Sequence, residues 1–337
     1  MSSADTEPDR VVAPDPRLLA EAAFSVARIL DVDDGKDIRW VVGEGLHRPR
    51  SVIFPLRAEH PSGRSLAAFF KRSYPPPYAE ERRRRWEATV RDGLVRSMDL
   101  ESRLFELVED EGITFSRALA TDPATLSVVT LGVPGQPMGK VWRHIITPGA
   151  RGDADRILRL SGRAARLIEQ CSPEGIVAGA GAQVDAIDRR VARVRGVMPD
   201  STLEAVERRM AELHRELDSS PKAMVYSHGD FSTTNILVDE GRIGLIDFTW
   251  PVRQRGFDLA HFAFRLEYDT AAPARMTSSL ILALIEGYGD PEVTLQPGWR
   301  FVRLSKLLKV VEDGKRSALG KGSGRTRRAL AEIESYI

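Results

Sequence analysis

The run Tyr226-Ser227-His228-Gly229-Asp230-Phe231-Ser232-Thr233-Thr234-Asn235-Ile236-Leu237-Val238 constrains this chain more than any other stretch. Val225 leads into it on an apolar strand, Gly241 marks a turn after it, and Ile243 to Ile246 form the next apolar strand, ending at Asp247-Phe248. Short apolar runs separated by turn residues read as strands. A strand, a loop and a hairpin in this order hold Asp230 and Asn235 on one edge and deliver Asp247 from the neighbouring strand end. A carboxylate at 230 can accept a proton from an attacking hydroxyl. An amide oxygen at 235 and a carboxylate at 247 are hard donors of the kind magnesium takes. An acid, an amide and a second acid so arranged are what phosphoryl transfer requires. The bland alternative has Asp230 and Asp247 capping turns and His228 filling a core; four identities at set spacing argue against it.

Composition narrows the partners. The chain has 337 residues, enough for one large domain or two lobes, and 42% of them are hydrophobic. Its 49 basic and 48 acidic residues leave a net charge of +1, which gives no electrostatic case for nucleic acid. No stretch approaches the ~20 apolar residues of a membrane span, and the polar start lacks the apolar centre of a signal peptide. The lone cysteine, Cys171, cannot form an internal disulfide, which fits a cytoplasmic protein. Residues 1–16 read as a disordered leader, rich in Pro, Asp and Ser.

Periodicity along the rest changes character once. Residues 17–31 have helical spacing. Ile38 to Val42, Val52 to Leu56 and Leu66 to Lys71 read as strands of an antiparallel meander, with Gly43-Glu44-Gly45 as the turn between the first two. A charged helix is expected over Tyr78–Arg91 and a second over Leu94–Glu109. The four arginines Arg82 to Arg85 lie among Glu80, Glu81 and Glu87, so they read as a solvated mixed-charge face. After a strand at Leu126–Leu131, helices dominate: 154–169, 184–195, 202–217, 258–268, 276–288, 300–313 and 325–336. The expectation is an α/β (α+β) fold with a small sheet-based lobe, 17–133, and a larger helical lobe, 134–337.

Residues 224–260 resemble the aminoglycoside phosphotransferase and choline kinase superfamily, a branch of the protein-kinase-like fold. The resemblance rests on His228-Gly229-Asp230 with Asn235, on Ile246-Asp247-Phe248, and on Gly256-Phe257-Asp258-Leu259-Ala260. It implies ATP, with GTP as the alternative, bound with Mg2+ between two lobes. It also implies transfer of the γ-phosphoryl group to a hydroxyl of a small molecule such as an antibiotic, an amino alcohol or a sugar. Asp230 is then the catalytic base, Asn235 and Asp247 hold metal, His228 orients the loop, and Asp258 holds the loop backbone from below.

In the small lobe the resemblance calls for a lysine on the third strand and a glutamate on the following helix. Lys71 fits the first, and strand alternation favours it over Arg72. Glu101 is preferred for the second, with Glu106 and Glu87 as rivals. Gly43 and Gly45 are expected to cover the phosphates, and the backbone near Leu131 and Val133 to meet the base. Arg253 and Arg255 are candidates for an anion, the alternative being a solvated loop; Glu267, Asp269 and Glu286 are candidates for an amine. His261 reads as a packed core residue. Two rival readings stay open: a kinase acting on a peptide hydroxyl, and a nucleotide-binding protein without transfer activity. The second would be expected to lack one of Asp230, Asn235 and Asp247.

Overall fold

The computed structural model describes residues 13–75, 80–108, 112–146, 151–173, 176, 191–218, 224–268, 274–316 and 324–337. The expected leader up to residue 12, Asp269, most of the expected helix 184–195 and the stretch 317–323 lie outside them. The chain divides into two compact units, Met1–Phe105 with Phe115–Val133, and Glu106–Thr114 with Pro134–Ile337.

In the first unit, helix α1 (Pro16–Leu30) starts where the Asp15 carboxylate accepts from the Arg17 N–H at 2.8 Å, and Pro16 fits the first turn. Strands β1 (Arg39–Val42), β2 (Leu46–Arg48), β3 (Ser51–Glu59) and β4 (Ser65–Ser73) come next. They are joined by β6 (Ala118–Asp122) and β7 (Ser127–Leu131) in the antiparallel order β1-β3-β4-β7-β6, with β2 also on β3. Alternate residues of β3 and β4, among them Val52, Phe54, Ala68 and Phe70, share one core with Leu18, Ala22 and Val26 of α1. Side chains alternate across a strand, so Lys71 falls on the face away from that core.

Register corrects the expected first turn. Val42 pairs with Leu56 and Leu46 with Ile53, so β1 and β2 run in the same direction along a single partner strand. Gly43, Glu44 and Gly45 face only Phe54 and Pro55; they form a β-bulge. The chain actually reverses at Pro49-Arg50, between the paired Arg48 and Ser51. A Cβ on Gly43 would come within 2.8 Å of the Pro55 ring, and one on Gly45 within 2.7 Å of the Phe54 ring. Packing against β3 therefore explains both glycines.

A second correction concerns the charged segment. One 28-residue helix, α2 (Glu80–Leu107), replaces the two expected helices. Gly93 is buried inside it and does not end it. Arg83 pairs with Glu87 at 2.9 Å, Arg85 with Glu81 at 2.5 Å, and Arg84 with Glu80, all at helical i,i+4 spacing on a solvated face.

The second unit begins earlier than expected, because β5 (Ile113–Phe115) leaves the first sheet. It pairs with β11 (Arg242–Leu245), which pairs with β10 (Ile236–Asp239) and then β8 (Gln136–Pro137). A two-stranded ribbon joins β9 (Met224–Tyr226) to β12 (Val252–Gln254). Around these lie α3 (Met138–Ile145), α4 (Arg151–Gln170), α5 (Asp200–Asp218), α6 (Phe257–Tyr268), α7 (Ala274–Tyr288), α8 (Pro297–Arg316) and α9 (Gly324–Glu334). Helices α5, α6, α8 and α9 share one apolar core that includes Leu213, Phe264, Leu304, Leu307 and Ile333. Helices α4 and α7 meet backbone to backbone: a Cβ on Gly162 would lie 2.0 Å from the Leu284 carbonyl oxygen, and one on Gly287 1.9 Å from that of Arg159. Among the described residues, no helix is long and apolar enough to cross a membrane.

Candidate active site

The hairpin of β10 and β11 sets the spacing of the key residues. Ile236 pairs with Leu245, and the Ile246 N–H donates to the Asn235 carbonyl at 3.1 Å. Asn235 and Asp247 therefore emerge at adjoining strand ends. Asp247 adopts a left-handed backbone, φ +67°, which an L-residue takes up at a cost on the order of 1 kcal/mol. That strain turns the chain off the strand, and the Asp247 side chain is exposed.

Asp230 is exposed too, and it is tied to Asn235. The Asn235 Nδ2 donates to the Asp230 carbonyl at 3.0 Å and to its carboxylate Oδ2 at 3.1 Å. Both partners only accept, so the amide must turn its nitrogen toward them. Its oxygen then faces the other way, while the residue itself is buried.

Beneath these groups lies a dry frame. Asp258, in the first turn of α6, is buried; its carboxylate accepts from the Ser227 hydroxyl at 2.8 Å and from the His228 N–H at 2.6 Å. The Ser227 hydroxyl oxygen in turn accepts from the Gly229 N–H at 3.1 Å. Across the loop, Thr249 donates to the His228 carbonyl from its N–H at 3.1 Å and its hydroxyl at 3.2 Å. Gly229 has φ +92°, and a Cβ there would fall 2.1 Å from the Thr249 hydroxyl oxygen. Only glycine satisfies both constraints.

His228 is fully buried, its ring 4.3 Å from Phe248 and 5.8 Å from Phe231. Phe248 stacks on the fully buried Trp250 at 4.9 Å. Burial lowers the imidazole pKa, opposed by the charges of Asp258, Asp247 and Asp230. The Asp230 N–H points at His228 Nδ1 at 3.4 Å, as an unprotonated nitrogen allows. His228 is thus a neutral, packed support. Burial also raises the Asp258 pKa, against the pull of His228 and the hydrogen bonds it accepts.

The first unit's candidates are placed as follows. Lys71 sits half-buried on β4, opposite Ile53 and Val128. Arg72, on the other face, lies over the Tyr74 ring. Glu101 is buried on the inner side of α2, and its carboxylate accepts from the Ala118 N–H. Of its rivals, Glu106 is exposed and Glu87 is paired to Arg83. The Leu131 N–H donates to the Arg117 carbonyl, the Gly132 N–H to Ala67, and Val133 ends the unit.

Two of the three acids offered to an amine are paired elsewhere. Glu267 pairs with the buried Arg303 at 2.6 Å, and Glu286 pairs with Arg159. Arg255 is no solvated loop residue: it pairs with Asp290 at 2.9 Å. Arg253 lies over the Phe257 ring at 5.5 Å, and burial lowers its pKa. His261 is buried, edge-on to Phe257, and desolvation takes it down to about 3.

A sequence profile described as "Phosphotransferase enzyme family" matches residues 63–304. The chain belongs to that family. Its motif-bearing hairpin, α6 and the strands β4, β6 and β7 fall inside the match. No curated protein matches this phosphotransferase family member in sequence. Among solved structures, a glucosamine kinase shares 16% identity at a TM-score of 0.50, over 94% of this chain and 81% of that one. The GDP and kanamycin complex of APH(2")-IIia shares 12% identity at 0.50, over 93% and 97%. A choline/ethanolamine kinase family protein from Mesorhizobium loti shares 15% identity at 0.49, over 88% and 87%. The first two likenesses show the fold, the protein-kinase-like one the motif implied.

The sequence motif includes Ser227 and Phe231 without assigning them roles, and it gives no sign of Thr249, Trp250 or Glu169. Ser227 lies two residues before the motif glycine, whereas Thr249 comes to it from twenty residues further on. Glu169 lies on a helix far along the chain, and nothing near it in sequence marks it.

Proposed function

We propose that this family member is an ATP-dependent phosphotransferase that moves the γ-phosphoryl group to a hydroxyl of a small molecule. One observation carries the reading: the Asp230 carboxylate is exposed, held by the Asn235 amide, and mounted on a backbone locked by Asp258 and Thr249. A carboxylate fixed in this way is fitted to align an acceptor hydroxyl and take its proton as the new P–O bond forms. His228, neutral and packed, holds the loop without exchanging protons.

The donor set fits magnesium. Asn235 turns its nitrogen to Asp230, leaving its oxygen to a cation, and Asp247 offers an exposed carboxylate from the adjoining strand end; both would hold the ion. When bound, the ion neutralises charge on the nucleotide phosphates. Lys71 supplies a point charge for the α- and β-phosphates, and the inward carboxylate of Glu101 orients it. Backbone at Leu131 and Val133 meets the base of ATP, or of GTP. Backbone at Gly43 and Gly45, in the bulge between β1 and β2, covers the phosphates. An ATP-dependent enzyme whose one cysteine is buried and has no second cysteine to pair with suits the cytoplasm.

The test is nucleotide consumption by the purified chain with a panel of antibiotics, amino alcohols, sugars and peptides, each product identified by mass spectrometry. Asp230→Asn should lower turnover by about 10³-fold while ATP affinity changes little. Phosphorylation of peptides alone would replace the small-molecule reading. Full activity in Asp230→Asn would end the assignment of the base.

A further inference from the structure

One buried acid has no part in the chemistry just described. Glu169 lies in the last turn of α4 and is almost fully buried. Its Oε1 accepts from the Gly256 N–H at 2.7 Å. Its Oε2 accepts from the Tyr288 hydroxyl and lies 3.8 Å from Arg255 Nε and 3.9 Å from an Arg166 nitrogen. Arg255 is anchored in turn by Asp290 at 2.9 Å and by the Tyr288 oxygen at 3.4 Å. Three separate stretches of chain, at α4, the loop before α6 and the end of α7, therefore meet on one carboxylate. Burying a carboxylate is costly unless donors converge on it, and here they do.

The segment it holds leads to the reactive loop. Gly256 takes a left-handed backbone, φ +77°, and its carbonyl accepts from the Ala260 N–H at 2.9 Å, which starts α6. Two residues on, Asp258 grips Ser227 and His228. Any shift of Gly256 displaces Asp258, and with it the backbone that carries Asp230.

We propose that Glu169 is a positioning residue for phosphoryl transfer: by fixing Gly256 and Arg255 it sets where Asp258, and through it the 227–230 loop, can sit. This rests on the functional reading above. The carboxylate acts as an acceptor for a backbone N–H, a role that an amide oxygen can also fill, while the amide nitrogen can donate to the Tyr288 oxygen. Glu169→Gln should therefore substitute, and Glu169→Ala should not.

Two measurements on the full chain separate this inference from the reading beneath it. The first is amide hydrogen exchange. Glu169→Ala should speed exchange at 226–231 and 254–258 and leave the α5–α8 core protected, while Glu169→Gln should exchange there no faster than the wild type. The second is turnover with ATP as the varied substrate. Glu169→Ala should lower kcat by about 10–100-fold with the KM for ATP within about threefold, and Glu169→Gln should restore kcat. A merely structural role would lower the active fraction and loosen the core together. Should Glu169→Ala fail to fold, Tyr288→Phe provides the same test with a smaller effect. Wild-type exchange at 226–231 in Glu169→Ala, or in Tyr288→Phe if the alanine variant does not fold, overturns the proposal whatever the turnover. Loosened exchange there, with turnover that Asp230→Asn does not diminish, upholds the positioning and overturns the catalytic reading.

Discussion

The β10–β11 hairpin and the sheet of the first unit position their candidate residues by different means. On the sheet, strand alternation sets the direction of Lys71: its neighbours Phe70 and Arg72 face one way, so it faces the other. In the hairpin, side chains bind backbone. Asp258 and Thr249 clamp His228 from both sides, and Asn235 clamps Asp230. Alternation fixes a direction, whereas a side-chain-to-backbone clamp fixes a position. A residue that must meet a ligand charge needs the first; a base that must meet one hydroxyl needs the second. The clamped region is also graded by depth: Asp230 and Asp247 are exposed, whereas Ser227, His228 and Asp258 are buried.

That contrast is open to attack. The largest effect is expected from Asp258→Ala. It strands the His228 N–H and the Ser227 hydroxyl in a dry site, so stability should fall by about 3 kcal/mol and turnover by at least ~10²-fold. Chemical denaturation and ATP turnover read the two losses; loss of activity without loss of stability would erase the separation by depth. Gly229→Ala comes next. Its Cβ would strike Thr249 and its backbone would be strained, so turnover should drop about 10²-fold. Asp230→Asn, by contrast, should leave the denaturation midpoint where it is, since the side chain is exposed.

The smallest effect concerns pH. Desolvation pushes Glu169 from 4.5 up to about 7, opposed by the hydrogen bonds from Tyr288 and Gly256 and helped by the charge of Asp258. A raised carboxyl binds its proton more tightly in the fold. Its contribution to stability is therefore full below pH 4.5 and lost as pH rises toward 7. His261 works the other way: held down to about 3, it gains stability for the fold as pH rises toward 6.5. Glu169→Gln removes only the first trend. Relative to the wild type, the variant should gain stability as pH rises from 4.5 toward 7. Parallel stability curves for the two proteins would contradict the assignment.

The hairpin was legible in the sequence because its logic is local. His228, Asp230, Asn235 and Asp247 fall within one strand–loop–hairpin, so spacing alone puts them near each other. Helical periodicity likewise found α1, α5, α6, α7 and α8 to within a few residues. Reading failed where the deciding contact lies far along the chain. Gly43 and Gly45 looked like a turn, yet they are small because Phe54 and Pro55 lie against them. The two helices expected over 78–91 and 94–109 are one, with Gly93 a buried position within α2. The strand Ile113–Phe115 leaves the sheet that its place in the chain suggested, because β11 offers it an edge. Glu267 and Glu286 looked available until Arg303 and Arg159 were seen to neutralise them. Glu169 gave no sign of itself, since each of its donors comes from a distant segment or a backbone group.

The central claim is that Asn235 and Asp247 hold one cation against a nucleotide while Asp230 faces the acceptor. A crystal of the chain grown with Mg2+ and a non-hydrolysable ATP analogue tests it most directly. The account predicts an ion about 2.1 Å from the Asn235 side-chain oxygen and the Asp247 carboxylate, with the γ-phosphate directed at Asp230. An ion and triphosphate held by other residues, with either of those two side chains turned away, would contradict it.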